Sequence, residues 1–333
     1  MVSEPRQTPT EDRVAIDVSA LQVGAVDERA FVAQLPAALR TAGGFDVTAW
    51  SSQPGTDRSL PDGARHAGHR WRAAVASSAA VVGMAASAAW VAGDDTLIHL
   101  ASGPRPLRLG RPGVITIHRA RPLAAGARRS GREGRAREEL RRSADQGAVI
   151  HAVTRSVADE VVEQLGVDRS RVVVALPGIG PCVGVHDDQA GIAQVTVLAT
   201  GRQDLDAEVA IRLGGTNEVV ASVGDGVDEH SRCLVIAAPL EGFSAAAVSA
   251  MGSGVPIVAV RSPAAVELLT GAATFVEPSE LDELVDIALA LAGADDARAI
   301  NVAAGRARAT DFAWGLRVTA VIAMYRRALA DAR

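Results

Sequence analysis

The chain has 333 residues, 48% of them hydrophobic and 22% charged, enough for two domains of ~100–200 residues with full cores. Disordered and collagen-like chains are excluded, and at 3% aromatic residues so is a stacking platform for single-stranded nucleic acid. The net charge is −5, and all 34 basic residues are Arg, which removes any Lys nucleophile, Schiff base or P-loop lysine.

Between Arg119 and Arg142, nine arginines against three glutamates give +6 and leave −11 on the rest of the chain. An acidic body argues against nucleic acid as a partner. The two cysteines, Cys182 and Cys233, lie in no CxxC and have no His at ligand spacing. Neither a disulfide framework nor a metal site is expected, and a reducing, cytoplasmic setting is.

In chain order, residues 1–12 read as a polar tail without a signal-peptide core. Arg13–Ser19 has strand length and is followed by Gly24 and a helical pattern from Glu28 to Thr41; Gly43 and Gly44 stop that helix before a strand at Phe45–Trp50. Residues 73–93 carry no charge, long enough for a membrane span, but their Ala, Ser and Gly content favours a buried small-residue helix. Further strands are expected at Thr96–Leu100, Val114–His118, Ala148–Val153, Arg171–Ala175, Val195–Thr200, Glu218–Val223, Cys233–Ala237, Pro256–Val260 and Ala273–Val276. Helices are expected at Ser156–Leu165, Ala245–Met251, Ser279–Leu291 and Trp314–Ala330. Residues 128–142 contain two glycines and Leu140 as the one large apolar side chain, and read as a solvated loop. Val- and Ile-rich strands alternating with helices mean parallel sheets, which bind ligands at the carboxyl ends of their strands. Gly178–Ala193 is the best linker.

In the second half, Leu240-Glu241-Gly242-Phe243-Ser244 leads into a helix, then Met251-Gly252-Ser253-Gly254-Val255-Pro256 and a strand ending at Val260. This segment resembles the donor-site signature of retaining glycosyltransferases of family 4, which have the GT-B fold. The likeness continues along the chain in Arg13–Leu21, Thr96–His99, Val114–His118, Ala152–Gly178, Val197–Arg202, Val219–Gly226 and Arg306–Leu329. It implies an α/β protein of GT-B type, with two Rossmann-like parallel-sheet domains facing a cleft and the second truncated. The first domain would span 13–180 and the second 192–310, and a terminal helix at 311–333 would pack back toward the first.

The function implied is transfer of a sugar from a nucleoside diphosphate sugar, as co-substrate and without metal or other cofactor, to a glycan or lipid acceptor. By resemblance, His118 projects across the cleft toward the transferred sugar, Glu241 accepts hydrogen bonds from donor hydroxyls, and Arg202 holds the diphosphate with Gly242, Phe243, Ser244 and Ser249. Independently of the family, a helix opening after Gly242 presents free N–H groups and a positive dipole end to an anion. Asp17 and His99, also at strand ends, read as structural hydrogen-bonding groups.

The sequence departs from the pattern in several places. The second helix glutamate is Ser249, Arg119 follows His118 in place of Asp, and the glycine-rich turn after the first strand reads Val26-Asp27-Glu28-Arg29. With no Lys after the Gly-Arg turn, Arg212 is the nearest basic residue able to replace it. Gly226 is followed almost at once by the Cys233 strand, so a βα unit is missing. These losses describe an eroded donor site, and the alternative reading is an inactive pseudo-glycosyltransferase acting as scaffold to an active paralogue. The Arg119–Arg142 run adds peripheral contact with the inner membrane face as a further alternative.

Overall fold

The computed structural model describes residues 12–51, 65–66, 86–87, 96–103, 107–109, 112–120, 131–182, 193–216, 219–293 and 295–332. Most of the uncharged stretch 73–93 and the tail 1–11 lie outside them. Among the described residues, no helix is long and apolar enough to cross a membrane.

The first lobe is a parallel sheet in the order β3-β2-β1-β5-β7-β8-β9. Its strands are β1 (Asp12–Asp17), β2 (Phe45–Trp50), β3 (Arg65–His66), β5 (Thr96–Leu100), β7 (Gly113–Ile117), β8 (Val149–Ala152) and β9 (Val172–Val174). A two-stranded piece pairs β4 (Ala86–Ser87) with β6 (Leu107–Arg108). Its helices are α1 (Ala20–Val23), α2 (Val26–Ala42), α3 (Gly131–Asp145) and α4 (Arg155–Leu165). Val14, Ala15 and Ile16 on the interior strand β1 are all fully buried, as a sheet covered on both faces requires.

The second lobe is a parallel sheet in the order β11-β10-β12-β13-β14. Its strands are β10 (Ala193–Leu198), β11 (Val219–Gly224), β12 (Ser231–Ile236), β13 (Ile257–Val260) and β14 (Ala273–Val276). Its helices are α5 (Gln203–Gly214), α6 (Ala245–Ser253), α7 (Pro263–Leu269), α8 (Leu281–Gly293) and α9 (Asp295–Ala309). The connection from β11 to β12 holds no helix, as the short spacing after Gly226 predicted.

The last helix, α10 (Trp314–Ala330), returns to the first lobe, where Val318, Val321, Met324 and Tyr325 join the core formed by Phe31, Leu35 and Phe45. Tyr325 enters a buried polar chain that fixes its own direction. The end group, the Ala175 carbonyl, can only accept, so His151 Nε2–H donates to it at 2.7 Å and His151 Nδ1 accepts from Thr116 at 2.9 Å. Thr116 then accepts from His99 Nε2–H at 2.7 Å, and Tyr325 O–H donates to His99 Nδ1 at 2.7 Å. His99 is thus structural, as expected, and both imidazoles are neutral. Asp17 is buried and accepts the Ser19 N–H at 3.0 Å, again a structural bond.

One expectation is corrected. The described part of the Arg-rich stretch, from Gly131, is helix rather than loop. Ala136, Leu140 and Ala144, spaced by four, form a buried stripe wide enough to dock it, and Arg137 donates to the Gln164 carbonyl at 2.7 Å near the carboxyl end of α4. Small alanines supply most of that stripe, so the apolar face is hard to see in the sequence.

Candidate active site between the lobes

Two segments join the lobes. Ile179 N–H donates to Phe312 O at 2.7 Å, and Gln34 Oε1 on α2 accepts from both Gly180 N–H at 2.7 Å and Trp314 Nε1–H at 2.8 Å. Between the lobes, at the carboxyl ends of both sheets, lies a cleft of about 380 Å³. Its walls include Ala25–Asp27, Arg29 and Arg119 of the first lobe and Leu198–Gly201, Asp225, Pro239–Ser244 and Ala246 of the second.

The second-lobe wall is built by short polar ties. Ser244 caps α6, its Oγ accepting Ala247 N–H at 3.3 Å. Ser262 Oγ accepts from Leu240 N–H at 3.1 Å and from Ala265 N–H at 3.2 Å, so one hydroxyl caps α7 and pins the turn before Glu241. Asp206, buried on α5, accepts Thr200 N–H at 2.9 Å and the Thr200 hydroxyl at 2.8 Å. That holds the turn through Gly201, whose φ of +88° favours glycine. Sequence reasoning passed over Ser262 and Asp206; an Asp four residues after an Arg at a strand end, in the first turn of a helix, was the available signal.

Glu241, Gly242, Phe243 and Ser244 therefore come together on the cleft wall. Gly242 lies so close to the first lobe that a Cβ there would overlap the His118 carbonyl oxygen. The His118 ring is turned inward: it is buried, Nε2 donates to Ala101 O at 2.9 Å and Phe31 meets it edge-on at 5.4 Å. The side chain does not line the cleft, contrary to the projection expected of it, because the strand end places it beneath α2. Burial lowers its pKa, keeping the ring neutral. Arg119, the next residue, reaches the cleft and lies 3.4 Å from Glu28.

Arg202 is exposed beside Gly201, outside the lining. Ser249 is also outside it. Arg212 cannot replace the missing Lys: at the far end of α5 it pairs with Glu208 and Asp282, each at 2.5 Å. Residues 26–29 form the first turn of α2 instead of a glycine-rich loop, and Glu28 closes that turn by accepting Ala25 N–H at 3.2 Å.

Asp27 was not anticipated as a contact residue. It leaves α2 to accept the N–H of Ala245, the first residue of α6, at 2.7 Å. Burial, the largest effect, pushes its carboxyl up to about 6 from 3.8, opposed by the Ala245 bond and Arg119 and reinforced by Glu28 and Asp225.

The two parallel-sheet lobes have counterparts among solved structures. A glycosyltransferase from Rickettsia africae matches with a TM-score of 0.61 at 14% identity, over 96% of this chain and 99% of that one. Sucrose-phosphate synthase from Thermosynechococcus elongatus matches at 0.62 and 16% identity over 96% and 99%. Anabaena HepE in complex with UDP and glucose matches at 0.62 and 14% over 94% and 99%. Residues 31–181 match the family model described as Glycosyltransferase Family 4. The chain has the GT-B fold, and over residues 31–181 it is similar to glycosyltransferase family 4. No match was found among curated proteins. The turn at Glu241–Ser244 lies in the second lobe, whereas the family model matches residues 31–181, almost all of them in the first.

Proposed function

We propose that this glycosyltransferase-like protein transfers a sugar, with retention of configuration, from a nucleoside diphosphate sugar to a glycan or lipid acceptor held in the cleft. The observation that carries the reading is the convergence of Glu241, the Gly242–Ser244 turn and the N-terminus of α6 on one cleft opposite the first lobe. Complexes of the similarly folded HepE with UDP and glucose support a UDP-sugar as donor class.

In this reading the amides at the start of α6 face the diphosphate and Glu241 accepts hydrogen bonds from sugar hydroxyls. Arg29 and Arg119, with Arg202 at the rim, supply the positive charge that a lysine-free second lobe lacks. The glycosidic bond to the diphosphate breaks as the acceptor oxygen bonds the same face of the anomeric carbon. The acceptor proton passes to the departing phosphate oxygen, and the nucleoside diphosphate leaves with the bonding pair. Charge stabilisation of that leaving group is the largest single contribution the protein makes.

A second reading, a pseudo-glycosyltransferase scaffold, is favoured by Asp27 on the α6 amide and by the outward pairing of Arg212. Calorimetry with UDP-glucose and GDP-mannose separates the two. Donor binding that Glu241→Ala abolishes supports the enzyme; no heat at millimolar donor leaves the scaffold.

A further inference from the structure

Two helices from different lobes aim their N-termini at the same place. α2 starts at Val26 and α6 at Ala245, and the positive ends of both dipoles meet at the cleft wall. An anion is the natural occupant of such a junction, and the chain supplies one of its own. Asp27 bridges the gap, its Oδ1 accepting Ala245 N–H at 2.7 Å from a residue 218 positions away in sequence. At the same wall Gly242 lets the backbones of the two lobes touch.

We propose that Asp27 is an autoinhibitory latch: its carboxylate occupies the anion seat at the start of α6, holds the lobes together, and must leave before an external diphosphate can reach the Ala245 amide. Only the identity of the incoming anion rests on the donor-site reading above; the latch itself rests on the contact between the lobes.

The charged groups around Asp27 fit this arrangement. Arg119 attracts it, whereas Glu28 on its own helix and Asp225 from the second lobe repel it. Arg29 and Glu241 line the same cleft. The seat is therefore held at a cost: the buried carboxyl is pushed up to about 6, and release to solvent recovers that cost. A diphosphate entering between Arg29 and Arg119 would take over the amide as Asp27 swings out to water.

The test uses the full chain as wild type, Asp27→Ala and Asp27→Asn, each first checked by circular dichroism and thermal unfolding. Hydrogen exchange is followed at the Ala245 amide, and UDP and inorganic pyrophosphate are titrated by calorimetry at pH 7.5. Asp27→Ala is expected to speed exchange at Ala245 at least tenfold and to tighten pyrophosphate and UDP about tenfold or more. Asp27→Asn, which keeps an acceptor oxygen without the charge, is expected to fall between. Unchanged exchange in Asp27→Ala overturns the latch. Faster exchange without tighter pyrophosphate overturns the inhibition and makes Asp27 a strut between lobes. Tighter pyrophosphate without any UDP binding upholds the latch and sinks the nucleotide reading; UDP binding equal in all three proteins does the reverse.

Discussion

A side chain at Gly242 would collide with the carbonyl oxygen of His118, so the lobes meet backbone to backbone where the cleft closes. Glycine is required there by proximity alone. Gly242→Ala is expected to force the lobes apart, raising the radius of gyration in small-angle scattering and speeding exchange at Ala245. Gly226→Ala, whose nearest neighbour is Ala246 Cβ at 3.8 Å, should change neither. Equal behaviour of the two variants would show that the lobes do not pack this closely in solution.

The buried histidines set an acid limit. His151 is held at about 4 and His99 well below 6.5, chiefly because burial disfavours the charged ring. Each binds fewer protons folded than unfolded, so its contribution is complete above about pH 6.5 and is lost as the pH falls toward the folded pKa. For His151 that amounts to about 3 kcal/mol by pH 4. Urea unfolding at pH 7.5, 6 and 4.5 should show a falling midpoint, and a flat profile would contradict the neutral chain. Asp27 acts in the opposite sense: its folded pKa of about 6 lies above 3.8, so its contribution is complete below 3.8 and is lost as the pH rises through 6. Asp27→Asn should therefore gain stability over wild type above pH 6.

Tyr325 ties the last helix to the first sheet through one hydrogen bond. Tyr325→Phe leaves His99 Nδ1 without its donor in a fully buried position and should cost about 1–3 kcal/mol. Chemical denaturation measures it; a loss below a few tenths would mean that the Tyr325 bond contributes nothing to docking α10.

Leu140 tests the helix in the Arg-rich stretch. Leu140→Ala should cost about 2–5 kcal/mol, because the side chain is 1% exposed in the first-lobe core. Arg135→Ala, on the exposed face, should stay within about 0.5 kcal/mol. Two small and equal effects would restore the solvated loop.

Strands rich in Val and Ile announce themselves through composition, and Phe45–Trp50, Thr96–Leu100 and Ala273–Val276 stand where the pattern put them. Trp314–Ala330 was equally legible as a helix, from its start to its end. The Glu241–Ser244 turn carried the family likeness because a close approach needs Gly242 and a helix start needs Ser244, and both demands are local. Helices whose buried face is largely alanine, such as α3 with Ala136 and Ala144, were missed because small side chains bury well while contributing little periodic contrast.

What the sequence determined on its own was the order of the longer strands, several of the helices between them and the turn that opens α6, since periodicity, caps and glycines act over a few residues. Which charges meet was decided by the tertiary structure. Arg212 is turned to Asp282, the His118 ring lies beneath Phe31, and Asp27 reaches Ala245. Hydrogen bonds and ion pairs form between groups brought near by the packing of two lobes, and no spacing along the chain encodes that approach.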